Sequence, residues 1–174
     1  MLQKLHHVAY RCANAAQTVD FYTRLLGLEL AHALTNDYVP SVKQYDPHLH
    51  IFFAMADGSY IAFFEVPMAA PAQKDPNTPA WVQHMALEVK DMATLLAGKQ
   101  RLEEAGVEVI GPTDHGFCKS IYFFDPSGHR LEMTVRCEQP GELEKFKREA
   151  AGVVSAWQHR AARENWPSAR KAAV

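Results

Sequence analysis

Thr113-Asp-His-Gly-Phe-Cys-Lys-Ser-Ile-Tyr-Phe-Phe-Asp-Pro-Ser-Gly-His-Arg-Leu-Glu132 sets a histidine (His115), a tyrosine (Tyr122) and a carboxylate (Glu132) on one frame. Ile121-Tyr-Phe-Phe124 reads as a strand and Asp125-Pro-Ser-Gly128 as a turn. Arg130-Leu-Glu-Met-Thr-Val-Arg136 returns as a second strand. A carboxylate buried beside such a turn needs a cation, because an unpaired charge in apolar surroundings is costly. Glu132 is therefore a candidate metal ligand, and histidines elsewhere must complete the site.

An internal repeat organises the rest of the chain. His7-Val-Ala-Tyr-Arg-Cys12 leads into Thr18-Val-Asp-Phe-Tyr-Thr-Arg-Leu-Leu-Gly27, and His84-Met-Ala-Leu-Glu-Val89 leads into Leu95 to Gly106. Each half reads as an alternating strand, an amphipathic helix stopped by glycine, and a further strand. A hairpin finishes each half. The first turns at Ala56-Asp-Gly-Ser59, and the second is the segment quoted above. Pro67, Pro71, Pro76 and Pro79 break the intervening stretch, which reads as a linker. The fold class is α+β: two βαβββ modules, module one over 1–67 and module two over 81–137, joined by a linker at 68–80. A tail over 138–174 carries Leu143, Phe146, Ala150, Val153 and Trp157 at helical spacing. It is expected to pack on the domain or on a second subunit.

Composition narrows the function. Apolar residues make up 48% of 174, as in an ordinary globular chain. A net charge of -2 without a Lys/Arg cluster leaves no footprint for nucleic acid. No apolar run approaches a membrane span, and the first residues lack a signal-peptide core. Cys12, Cys118 and Cys137 are odd in number and read as reduced thiols, so a cytoplasmic location is expected.

The order Thr113, His115, Ile121-Tyr122, Asp125-Pro126, Gly128, Glu132 resembles the signature of type I extradiol ring-cleavage dioxygenases. These belong to the vicinal oxygen chelate superfamily, with glyoxalase I, methylmalonyl-CoA epimerase and the bleomycin- and fosfomycin-resistance proteins. The resemblance implies that the two sheets curl around a metal cleft. It implies His7, His84 and Glu132 as metal ligands, because the superfamily takes ligands from the first and last strands of each module. Four residues after Gly58, where a fourth ligand would stand, is Ala62. Three protein ligands leave positions open for both oxygens of a catechol and for dioxygen, an arrangement associated with non-haem Fe(II).

The implied activity is extradiol cleavage of a small aromatic diol with O2. The cofactor would be Fe(II), with Mn(II) or another divalent metal as the alternative. Tyr122 and His115 are the implied catalytic donors, and a homodimer is the implied assembly. Glu65 lies three residues from Ala62, so strand alternation points it to the opposite face. The family's further acid/base histidine is missing from Ser59-Tyr60. His48 and His50 precede it, but hairpin parity does not favour His50 facing the metal. The rival readings are a glyoxalase- or epimerase-type lyase or isomerase, and a resistance-type binding protein without catalysis.

Overall fold

A computed structural model describes residues 1–72 and 77–166. The linker reading at 73–76 and the last eight residues of the tail lie outside the described residues.

The first module runs β1 (His7–Arg11), α1 (Ala15–Asp20), β2 (Glu29–Val39), β3 (Gln44–Ala54) and β4 (Tyr60–Glu65). The second runs β5 (Met85–Glu88), α2 (Met92–Glu104), β6 (Ile110–Asp114), β7 (Cys118–Phe124) and β8 (Arg130–Arg136), followed by α3 (Glu142–Arg163). The sheets have matching orders, β1-β4-β3-β2 and β5-β8-β7-β6. In each, the first strand lies parallel to the last: Ala9 is level with Ala62, and Ala86 with Glu132.

Local chemistry explains the helix ends. Asn14 accepts a bond from Gln17 N and starts α1, while Asp91 accepts from Thr94 N and starts α2. Where the sequence reads as one continuous helix, α1 loosens into a π-helical turn over Phe21–Leu25. The wider turn brings Phe21, Tyr22 and Leu25 all to the core. Gly27, at φ +75°, ends it.

β3 begins well before His50 and carries Pro47. Proline cannot donate to a ladder, and the register with β2 slips between Asn36 and Tyr38, opposite this point.

One face of each sheet packs under the helices. Phe53, Ile61 and Phe63 meet Phe21 and Tyr22, and Ile121, Phe123, Leu131 and Met133 share the same core with Leu95 and Leu102. Phe21 and Phe123, with ring centres 6.3 Å apart, join the two halves. A polar clasp reinforces the joint. Tyr22 Oη donates to Asp125 Oδ2 (3.1 Å), Ala13 N to Ser127 Oγ (3.0 Å), and His129 Nε2 to the Arg11 carbonyl (2.7 Å). Each sheet's other face is left open, and the chemistry-bearing residues stand there.

The tail forms the long helix its spacing predicts. Phe146 touches Phe117, and Trp157 packs on Trp166, but most of the apolar stripe is exposed. Among the described residues no helix is long and apolar enough to cross a membrane.

Candidate metal centre

Strand register assembles one half of the centre. Tyr122 on β7 lies directly opposite Glu132 on β8, so both occupy the open face of the second sheet. The residue level with Glu132 on β5 is Ala86, and His84 precedes it by two, which keeps His84 on that face as well. Glu132 is 6% exposed, and its Oε2 lies 2.9 Å from His84 Nε2.

The donor set suits a cation. His84 Nδ1 is 3.2 Å from the Val82 carbonyl, which can only accept, so Nδ1 carries a proton. In a neutral ring, Nε2 is then a lone pair aimed at a carboxylate, and two acceptors at 2.9 Å repel unless a proton or metal ion lies between them. A carbonyl holding Nδ1–H so that Nε2 is free is the second-layer arrangement that orients metal-binding histidines.

Tyr122 and His115 join this group. His115 Nε2 is 2.7 Å from Tyr122 Oη, and the His84 ring stands edge-on to Tyr122 with centres 6.0 Å apart. Burial and then the neighbouring Glu132 carboxylate raise the Tyr122 phenol above its ordinary pKa. The phenol therefore stays protonated at neutral pH, able to donate to a substrate oxygen. The Arg130 guanidinium lies 4.5 Å above the Tyr122 ring.

His7 stands on the other sheet. Its Nδ1 is 2.8 Å from His6 Nδ1, and its ring rests against Phe52. Among the described residues no three His, Cys, Asp or Glu side chains gather into a metal-holding group. Thus the structure brings together His84, Glu132, Tyr122 and His115, and leaves His7 apart within one chain.

Ala62 is fully buried, level with Ala9 and Phe52. Glu65 points to the helix side, where its Oε2 accepts a bond from Ala15 N at 2.7 Å. It caps α1, so it does not replace Ala62.

His50 corrects the sequence reading. Phe52 lies opposite Ala62, so His50, two residues along, lies opposite Phe64 on the face shared with Ala62 and His7. Its ring stacks on Phe64 (3.6 Å between centres) and neighbours Phe52 (4.1 Å). Its Nε2 is buried without a hydrogen-bond partner among the described residues. Burial, helped by His7, His48 and His32, pulls its pKa down to about 4. Knowing where the β3–β4 hairpin turns was the missing signal.

Beside His84 a cavity of about 700 Å³ opens between Tyr10, Phe124, His129, Arg130 and the end of the linker. Sequence reasoning missed Arg130, His129 and Tyr10, because an arginine beside a turn carries no spacing signature.

Comparison with known proteins agrees with this architecture. The family model described as "Glyoxalase/Bleomycin resistance protein/Dioxygenase superfamily" matches residues 4–133. The Bacillus subtilis (strain 168) protein named "Putative ring-cleaving dioxygenase MhqA" is 29% identical over 140 residues, covering 79% of this chain. The chain spans only 42% of that relative's length. "Glutathione transferase FosA" of Serratia marcescens is 31% identical over 138 residues, covering 78% of this chain and 82% of FosA. Among solved structures, a glyoxylase/bleomycin resistance protein/dioxygenase domain from Frankia sp. EAN1pec superposes with a TM-score of 0.65. It is 18% identical, and the match covers 79% of this chain and all of that one. The same two-module fold, half-site and motif order thus lead to one conclusion: the chain belongs to the glyoxalase/bleomycin resistance protein/dioxygenase superfamily, the vicinal oxygen chelate proteins.

Proposed function

We propose that this protein is a metal-dependent extradiol-type dioxygenase acting on a small aromatic diol, with Fe(II) held by His84 and Glu132 of one chain and His7 of a second copy. The observation that carries the reading is the 2.9 Å approach of His84 Nε2 to the buried Glu132 carboxylate, with Tyr122 and His115 beside it. A bound ferrous ion would supply the redox chemistry and the attachment of the diol. Tyr122 would donate from its phenol to a substrate oxygen, and His115 Nε2–H would donate to Tyr122 Oη behind it. Phe52 and Phe64 on the opposing face offer flat apolar walls, with the buried, unpartnered His50 Nε2 beside them. Ala62 adds no fourth donor.

The second copy is needed because His7 lies on a different sheet from the other two donors. Anaerobically purified protein should retain iron and consume oxygen with a catechol. Glu132→Ala and His7→Ala should each be inactive. Mixed subunits of the two variants should recover up to half the wild-type sites, because one of the two shared sites is then intact. No recovery on mixing would refute shared ligation, and iron-loaded protein that consumes no oxygen with any catechol would refute the dioxygenase. The wide match to FosA favours a second reading, a non-redox metal-dependent transferase or isomerase. It predicts metal retention without oxygen uptake.

A further inference from the structure

We infer that the cavity beside His84 receives a carboxylate of the substrate and that Arg130 is the residue that binds it. The substrate class is thereby narrowed to aromatic diols bearing an acidic group. The inference rests on the proposed metal site only for where the diol end lies.

Three observations converge. First, the described residues that line the cavity include no Asp or Glu, and Arg130 is their one permanently charged side chain. Among the described lining residues an anion meets a cation and no carboxylate; Glu132 stands beyond the lining, against His84. Second, Arg130 takes part in none of the ion pairs found among the described residues, whereas Arg24, Arg136 and Arg160 each have a carboxylate partner. Among the described residues it meets the Tyr122 ring and makes a long bond from Nη1 to the Ala80 carbonyl at 3.4 Å. A guanidinium held over a ring through its charge keeps N–H donors for a second partner, and a carboxylate can take two of them in parallel bonds. His129 does not compete, because its Nε2 is already spent on the Arg11 carbonyl.

Third, Arg130 precedes Glu132 by two residues on one strand face, a rise of roughly 7 Å. One substituted benzene ring can bridge that span, with its diol at the metal end and its acid at the guanidinium. Tyr10 and Phe124 supply aromatic walls between.

Binding is tested anaerobically on the full metal-loaded chain by calorimetry, using 3,4-dihydroxyphenylacetate and its neutral methyl ester. The acid should bind roughly 10- to 100-fold more tightly than the ester, the range expected of a charge-assisted pair. The preference should shrink with added salt. Arg130→Gln should erase the preference while leaving the ester's affinity within about threefold, and Arg130→Lys should keep part of it. Equal affinity for acid and ester in the wild type, binding of neither, or a preference that survives Arg130→Gln would each overturn the inference. The wild-type ratio stands even if a variant fails to fold. An acid preference without oxygen uptake would refute the dioxygenase and leave the carboxylate site in place.

Discussion

Replacing Tyr22 by Phe removes one oxygen and nothing else, at the joint between the modules. The ring stays packed between Phe53 and Phe63, with centres 5.0 and 4.9 Å away, so no cavity opens. What is lost is the bond from Oη to Asp125 Oδ2, between a fully buried phenol and a carboxylate only 5% exposed. Asp125 keeps its Oδ1 bonds from Ser127 N and His129 N. Its Oδ2 is left facing the core. A hydrogen bond to an ionised group contributes about 1.5–3 kcal/mol, so the variant should lose about 2 kcal/mol of unfolding free energy. For a chain of this size that corresponds to a Tm lower by roughly 4–8 °C.

Urea titration followed by far-UV circular dichroism measures the loss, and an unchanged m-value would show that the two states keep their compactness. Asp125→Asn should cost less in the Tyr22→Phe background than in the wild type, because the two groups act as a pair. A loss below about 0.5 kcal/mol would refute the clasp, since that is the range of substitutions that touch nothing important.

Glu65→Ala should cost about 1 kcal/mol, the worth of a helix cap, while iron content measured after desalting stays at the wild-type level. Loss of iron would mean that Glu65 is a ligand after all. His50 makes the fold acid-sensitive: its pKa in the folded chain is about 4, below that of the unfolded chain, so the unfolded state takes the proton first. Stability is therefore whole above about pH 6.5 and falls as pH drops toward 4, by about 1 kcal/mol once solvent screening of a part-exposed ring is allowed for. The urea midpoint of His50→Phe should decline less across that window. Gly98→Ala puts a Cβ 2.6 Å from Met133 Cε, the far end of a flexible side chain that can turn aside, so most of the helix-propensity gain of about 1 kcal/mol should be kept and the Tm should rise in a thermal melt. A fall in Tm would show that Met133 cannot yield.

Alternation along a single strand was legible, and pairing across a turn was not. Glu65 could be assigned to the helix side from its three-residue separation from Ala62, because both stand on β4. Tyr122 and Glu132 stand on different strands, so their common face depends on the turn at Asp125 to Gly128. That turn's tight form, with Asp125 N bonded to the His129 carbonyl, sets Tyr122 opposite Glu132. The same ignorance of hairpin register misdirected His50. The extent of β3 was obscured by Pro47, which argues against a strand until the bulge that accommodates it is seen. Arg130 escaped notice for a different reason: its meaning lies in having no ion-pair partner among the described residues, a property of packing.

The repeat itself argues for a shared centre. His7 is to β1 what His84 is to β5, and the two parallel pairings match in register, with Ala9 level with Ala62 and Ala86 level with Glu132. Each module could therefore offer a histidine from its first strand and a donor from its last. Module two offers both, while the alanine in module one leaves only the histidine. A three-donor site then needs one open face of each kind brought together. Within a chain, however, the modules meet through Phe21 and Phe123, Phe63 and His129, and the Tyr22–Asp125 clasp. These contacts occupy the helix side and the rim, so they bind the halves without pressing His7 onto Glu132. On the proposed reading a second copy related by a twofold axis would meet the requirement twice over, setting each His7 against the other chain's His84 and Glu132. On that reading the alanine would do more than leave a coordination position open: neither module would hold the metal with three side chains unaided, and metal retention should fall with dilution as the pair separates.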